Sequence, residues 1–161
     1  MSLVLRVRRA VTTDLSTIVK IGSEAFSGLR PIEQGMVWVR ASFSATPRME
    51  YWVIESDGQV NGYILWSEKG GFREQAVLEL EQIAVQKQVR GQGMGRELIL
   101  RSLEEVEKRL HERGARLKLV EVTTGAEQEA VEFYRHVLGA EMVARIPDYF
   151  RGEEYVLIAR K

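Results

Sequence analysis

Hydrophobic residues recur along the chain with two periods, and these predict both strands and helices. Alternation with a period of two predicts strands at LVLRVRR (3–9), RLKLVEV (116–122), EMVARI (141–146) and EYVLIAR (154–160). Spacings of three and four residues predict amphipathic helices. The apolar positions of the last of these helices are Ala130, Phe133, Tyr134, Val137 and Leu138.

Turn residues divide the chain between these segments. Asp57-Gly58 separates two β-rich runs within 51–66, a pattern typical of a hairpin. Gly114 and Gly139 stand where a helix is expected to end. The resulting order is β-α-α-β-β-β-α-β-α-β-β, with hairpins first and a β-α-β unit in the middle. This order predicts a mixed α/β sheet with helices on both faces.

Composition narrows the classes of protein and site. The length of 161 residues fits a single domain, 1–161. The 23 basic and 23 acidic residues cancel, which argues against nucleic acid or a membrane surface as partner. The chain has no cysteine, which excludes disulfides, thiolate metal sites and a cysteine nucleophile, and two histidines argue against a zinc site. No apolar run has membrane-spanning length and no signal peptide is apparent, so we expect a cytoplasmic protein; a homodimer stays open.

The segment RGQGMG (90–95) precedes a long amphipathic pattern. A glycine-rich turn at a helix N-terminus gathers free backbone amides, and the helix dipole there favours an anion. The alternative is a tight turn that binds nothing. Arg90 and Arg96 flank the glycines and favour a phosphate ligand. The Gly-Lys-Ser/Thr of a P-loop and the spacing of the dinucleotide fingerprint are both absent.

RGQGMG resembles the R/Q-x-x-G-x-G/A motif of the GNAT superfamily of acyl-CoA-dependent N-acetyltransferases. The family's fourth strand, pyrophosphate loop and third helix resemble the segment LEQIAVQKQVRGQGMGRELI (80–99). Its later helix, with the residues that follow that helix, resembles AVEFYRHVLGAE (130–141). The resemblance covers nearly the whole chain. It implies a mostly antiparallel central sheet of about seven strands, splayed between strands 4 and 5.

The resemblance also implies acetyl-CoA as co-substrate, with no metal. The pantetheine arm would bind the backbone of the fourth strand, and the pyrophosphate would bind amides of the glycine loop. These cofactor-binding residues are Ile83, Ala84 and Val85, and then Arg90, Gly91, Gln92, Gly93, Met94, Gly95 and Arg96. The family often has Asn where this chain has Glu127, so that contact is expected to be lost or replaced.

Acetylation of an amine requires a group that removes its proton and a donor that protonates the departing thiolate. The resemblance places Tyr134 near the thioester sulfur as that donor; the alternative is a core tyrosine. Candidate bases are Glu79, Glu81 and Glu121, with Glu81 and Glu121 preferred, and the alternative for each is a solvated strand face. Since the chain has no thiol, we expect direct transfer in a ternary complex.

The segment PDYFRGEEYVLIA (147–159) resembles the loop between the last two strands of N-terminal protein acetyltransferases. Tyr149 and Phe150 would there hold the substrate, although a loop packed over the sheet would also need aromatics. SGLRPIEQG (27–35) does not resemble those enzymes, which leaves small amines open as well as peptide or protein N-termini.

These features predict an acyltransferase that acetylates a primary amine. A non-catalytic acyl-CoA-binding sensor with the same fold is the alternative. A scaffold whose glycine turn binds nothing is a third interpretation.

Overall fold

The computed structural model describes residues 3–161, and across these residues the elements follow the predicted order. The helices are α1 (Leu15–Ala25), α2 (Ile32–Ser44), α3 (Met94–Glu112) and α4 (Gln128–Leu138). The strands are β1 (Leu5–Arg9), β2 (Met49–Ser56), β3 (Gln59–Lys69), β4 (Gln75–Val85), β5 (Arg116–Gly125), β6 (Glu141–Ile146) and β7 (Glu154–Arg160).

The seven strands form one sheet in the order β1-β2-β3-β4-β5-β7-β6. It is mostly antiparallel, and β4 and β5 form a parallel pair, as the predicted β-α-β unit requires. Pairing of β4 with β5 runs from Gln75 opposite Arg116 to Glu79 opposite Glu121. Both strands continue beyond this last pair, β4 to Val85 and β5 to Gly125. The predicted mixed sheet is confirmed.

The chain divides into two compact units. The first consists of residues up to Trp66 together with Gln82–Glu105, and the second of Ser67–Glu81 together with Val106–Lys161. Their boundaries fall within β3, β4 and α3. The single domain predicted for 1–161 stays a prediction.

The core of the first unit lies among α1, α2, β2 and β3. Its fully buried members include Ile18, Val19, Val39, Val53 and Tyr63. The periodic spacing of branched residues in α1 and the alternation in β2 and β3 bring them to one side, where burial stabilises the fold by removing apolar surface from water.

The turn between β2 and β3 has the predicted geometry. Asp57 and Gly58 both have positive φ, 51° and 74°. Two consecutive left-handed residues match the twist of a hairpin, which explains why Asp-Gly occurs there.

A buried hydrogen bond ties β3 to α3 in this unit. The indole N–H of Trp66 donates to the hydroxyl oxygen of Ser102 over 2.8 Å. Both residues are almost completely buried. A buried indole N–H without an acceptor would lower the stability of the fold, and Ser102 supplies the acceptor that Trp66 needs.

In the second unit, β7 pairs with β5 on one side and with β6 on the other. Helix α4 ends at Gly139, which has φ 69° and donates from its amide to the Arg135 oxygen over 2.9 Å. This is the helix end predicted at that glycine.

The predicted apolar face of α4 differs in detail. In α4 the buried residues are Val131, Tyr134 and Leu138, whereas Ala130 is half-buried, so the buried face includes Val131, which the predicted spacing omitted. In α2, Val39 is buried, and Ile32 in the first turn of the helix is 47% exposed.

Candidate active site

The glycine loop lies directly before α3, in the first unit. Gly91 and Gly93 have φ of 79° and 80°, a region that side-chain-bearing residues rarely adopt. A Cβ added at either would meet no atom within 4 Å, so the space around the loop is open. Gly95 already lies within α3. Two of the three alternating glycines therefore serve the backbone turn, and the third belongs to the helix.

Helix α3 offers amides to this open space. The Glu97 amide donates to the Gly93 oxygen over 3.1 Å, which is the start of the helical hydrogen-bond pattern. The amides of Met94, Gly95 and Arg96 precede it and have no carbonyl one turn earlier within the helix. Together with the helix dipole, these groups suit an anion. The Arg96 side chain is 60% exposed and lies 3.6 Å from a Glu97 oxygen.

The last residues of β4 present alternate main-chain groups in opposite directions. The Gln86 amide donates to the Asn61 oxygen over 2.8 Å, and the Ala84 oxygen faces Gly62, where an added Cβ would lie 2.9 Å away. The even-numbered residues thus face β3. Because neighbouring residues of a strand point their N–H and C=O groups to opposite sides, those of Ile83 and Val85 point away from β3.

This strand edge is in contact with the glycine loop. The Arg90 side chain donates from Nε to the Val85 oxygen over 3.0 Å. The structure therefore brings together the two segments predicted to bind the cofactor, 83–85 and 90–96, within the first unit. An open left-handed loop, a helix N-terminus and a strand edge fit the phosphates and the amide-bearing arm of acetyl-CoA.

Tyr134 lies on α4 in the second unit. Its ring is buried, 8% exposed, and packs edge-on against Phe133 with centroids 5.2 Å apart. Burial raises the pKa of Tyr134 to about 12. The hydroxyl therefore keeps its proton at neutral pH, and within residues 3–161 no hydrogen bond to it is present. It can act as a proton donor.

The paired ends of β4 and β5 bring two of the candidate carboxylates together. Glu79 lies opposite Glu121, and both side chains are about three-quarters buried, with exposed fractions of 25% and 22%. Glu81 is half-buried and follows two residues later, on the same side of β4 as Glu79. All three carboxylates belong to the second unit.

Sequence reasoning missed a lysine at these carboxylates. The Lys69 ammonium lies 3.0 Å from a Glu121 oxygen, to which it donates a hydrogen bond, and 3.7 Å from a Glu79 oxygen. The hydrogen bond to Glu121 raises the pKa of Lys69 above its usual range against the opposing effect of burial, and electrostatic interactions with Glu79 and Tyr149 add to the rise. Lys69 ends β3, and only the pairing of strands reveals its partners.

The predicted aromatic pair lies in the turn between β6 and β7. Tyr149 is 48% exposed and Phe150 is 75% exposed, and their rings meet edge-to-face with centroids 4.6 Å apart. Tyr149 acts electrostatically on Lys69, so it belongs to the same neighbourhood as Glu121. The Tyr149 amide donates to the Gly152 oxygen over 3.1 Å, which closes the turn.

Other chemistry-bearing residues lie apart from these groups. His111 and His136 are exposed, and Glu127 is exposed before α4, where its side chain makes no capping hydrogen bond. Among residues 3–161 no group of three metal-ligating side chains is assembled. In the same residues, no helix combines the length and apolar character needed to cross a bilayer.

The sequence profile of the Acetyltransferase (GNAT) family matches residues 16–140. The chain belongs to this family. The matched region contains the strand edge, the glycine loop and Tyr134. No curated protein sequence shows significant similarity to the chain.

Solved structures of acetyltransferases have the same fold as this family member. A ribosomal-protein-alanine N-acetyltransferase from Brucella melitensis has a TM-score of 0.71 and 20% identity, over 97% of this chain and 99% of that one. A variant of spermidine N-acetyltransferase from Vibrio cholerae has a TM-score of 0.72 and 16% identity, over 96% of this chain and 92% of that one. Arabidopsis thaliana Naa50 in complex with a CoA–peptide bisubstrate analogue has a TM-score of 0.72 and 14% identity, over 96% of this chain and 97% of that one. These identities are low, so the likeness concerns the fold.

Proposed function

We propose that the chain is an N-acetyltransferase that moves an acetyl group from acetyl-CoA to a primary amine, by direct transfer in a ternary complex. The observation that carries the proposal is the contact between the outward-facing end of β4 and the open glycine loop at the start of α3, in a chain of the GNAT family. Family neighbours named for a ribosomal-protein alanine, a peptide analogue and spermidine support an amine as acceptor.

Acetyl-CoA supplies the activated acetyl group when it is bound. We assign Ile83, Ala84 and Val85 to the pantetheine arm, since outward-facing N–H and C=O groups can pair with its amides. The amides of 90–96 bind the pyrophosphate, and the Arg90 and Arg96 side chains add positive charge.

The reaction requires three proton movements. The acceptor ammonium loses one proton to a base before it attacks and a second as it becomes an amide, while the sulfur gains one when its bond to the acetyl group breaks. Tyr134 donates the proton to sulfur, because it stays protonated and its hydroxyl is unengaged within the described residues, and the second proton from nitrogen restores the Tyr134 hydroxyl. No cysteine is present to carry the acetyl group, which favours direct transfer.

The carboxylates are assigned different tasks. Protonation of Glu121 would break its ion pair with Lys69, so Glu121 is better suited to attracting the cationic acceptor. Glu81, or a water that it orients, is assigned as the base. Tyr149 and Phe150 contact the acceptor from the exposed turn. The acceptor is a small amine or a peptide or protein N-terminus, and the cytoplasm is the proposed location.

Turnover tests the proposal. The protein is incubated with acetyl-CoA and a panel of primary amines, while free thiol and acetylated amine are both measured. Stoichiometric release of thiol and product supports the enzyme. Binding of CoA without any amine-dependent thiol release would instead support the acyl-CoA sensor. Absence of thermal stabilisation by CoA would support the scaffold, since a ligand that binds only the native state must stabilise it.

A further inference from the structure

Lys69 brings a positive charge to the carboxylates of the second unit. Its ammonium is 3.0 Å from Glu121 and 3.7 Å from Glu79, and these two glutamates are held opposite each other by strand pairing. The register of the sheet therefore holds the two carboxylates together, and the Lys69 side chain reaches both from the end of β3.

The cluster of Lys69, Glu79 and Glu121 carries one net negative charge. Lys69 contributes one positive charge and the glutamates two negative charges, and the hydrogen bond to Glu121 keeps Lys69 protonated. Without Lys69 the same carboxylates would present two negative charges. An acceptor that approaches them meets half of the charge that the glutamates alone would supply.

A purely structural ion pair is the competing interpretation. The Lys69 side chain is 42% exposed, and ion pairs that solvent reaches contribute little to stability. The two roles make different predictions. A structural pair affects unfolding, whereas a counter-charge affects how amines of different charge are discriminated.

We infer that Lys69 is a specificity-determining residue that favours acceptor amines with one positive charge over diamines and polyamines. The inference rests on the proposed function, because that function places the acceptor ammonium at Glu121, which lies opposite Glu79 in the sheet. Tyr149 and Phe150, exposed beside the cluster, offer an apolar surface to the uncharged part of such an amine. A second ammonium on the acceptor would find the net charge of the Lys69, Glu79 and Glu121 cluster already balanced by the first ammonium.

The experiment compares butylamine with 1,4-diaminobutane, which share a four-carbon chain and differ by one ammonium group. Lys69→Met removes the charge and keeps the side-chain length, and Lys69→Arg keeps the charge. Lys118→Met is the matched control, since Lys118 is an exposed lysine on the neighbouring part of β5. The kcat/KM of each amine is measured at low and high salt, and equilibrium binding of both amines is measured by calorimetry in the presence of CoA.

We expect the preference for the diamine over the monoamine to rise at least about threefold in Lys69→Met, the effect of one charge about 6 Å away in a water-like medium. Lys69→Arg and Lys118→Met should keep the wild-type ratio. Added salt should reduce the change, because screening acts on charges and not on packing.

The outcomes separate the inference from the proposed function. If wild type acetylates amines but the ratio does not change in Lys69→Met, the inference is overturned and the proposed function stands. If no amine is acetylated but calorimetry shows that Lys69→Met raises the affinity for the diamine relative to the monoamine, the charge selection stands and the proposed function fails. If no amine is acetylated and no ratio changes in binding, both are overturned.

Discussion

The Nε of Arg90 donates a hydrogen bond of 3.0 Å to the main-chain oxygen of Val85. The side chain thus joins the last residue of β4 to the first residue of the glycine loop. Arg90 holds the end of β4 against the glycine loop and brings positive charge to the loop. The geometry and the charge of the proposed cofactor-binding residues therefore depend on the same side chain.

Arg90→Ala is expected to weaken binding of acetyl-CoA by about tenfold, since it removes a charge-assisted hydrogen bond and frees the Val85 oxygen. Calorimetric titration with acetyl-CoA measures the change. Arg101→Ala is the control, because Arg101 is an exposed arginine of α3 that pairs with Glu97 over 3.2 Å. Equal losses in the two variants would mean that only net charge matters and that the loop is not the site.

Gly93→Ala should abolish stabilisation by CoA while lowering stability by an amount set by backbone strain. Gly114→Ala is a matched control, since Gly114 has φ 79° and its added Cβ would also meet no atom within 4 Å. Each variant forces a side-chain-bearing residue into the left-handed region, at a cost of about 1–2 kcal/mol. Thermal unfolding with and without CoA separates strain, common to both, from ligand binding, which only the Gly93 variant should lose.

Tyr134→Phe should lower kcat by about 10²-fold, the usual contribution of a general acid, and leave KM for acetyl-CoA unchanged. The ring and its contact with Phe133 are retained, so the fold is preserved. Tyr155→Phe is the control, because Tyr155 in β7 keeps the ring that Arg145 contacts from 5.3 Å. A wild-type kcat in the Tyr134 variant would show that the residue only packs.

Stability at alkaline pH should depend on the Tyr134 hydroxyl. Burial raises the pKa of Tyr134 from 10.0 to about 12, so the folded protein binds this proton more tightly than the unfolded chain. The associated stability is complete below pH 10 and is lost as pH rises toward 12. Urea unfolding should therefore show wild type losing about 1 kcal/mol more than Tyr134→Phe by about pH 11. Tyr63, whose pKa burial also raises, is present in both proteins and cancels.

Glu81→Gln and Glu121→Gln should separate the base from the attracting carboxylate. Loss of the base should depress kcat, and loss of the attracting charge should mainly raise KM for the amine. Steady-state kinetics with one verified acceptor measures both, and Glu141→Gln on the exposed strand β6 is the control. The assignment is wrong if Glu121→Gln lowers kcat and leaves KM alone, or if both variants behave like wild type.

The order of elements could be predicted because each depends on local pattern. The Asp57-Gly58 turn needs only two residues that tolerate positive φ, and the periodic spacing of Ile99, Leu103, Val106 and Leu110 places all four in the buried face of α3. The glycine loop was equally local, although the sequence did not show that Gly95 belongs to the helix.

Lys69 could not be predicted, because its role depends on three strands that meet only in the folded sheet. Its sequence neighbours are a strand and a glycine turn, and neither points to Glu121, which lies 52 positions away. The same holds for Gln82, whose side-chain oxygen accepts the Tyr63 hydroxyl over 3.0 Å. Polar side chains on a strand are recognised as functional or structural only when their partners are known.

The burial of Trp66 against Ser102 has a spectroscopic consequence. Of the three tryptophans, Trp38 is 51% exposed, whereas Trp52 and Trp66 are 7% and 1% exposed. A water-soluble quencher such as iodide reaches the first indole and not the other two. With Trp38→Phe, the remaining fluorescence comes from the interior alone, and one of its two emitters is hydrogen-bonded to the helix that begins at the glycine loop. The protein thereby contains an intrinsic optical reporter attached to α3.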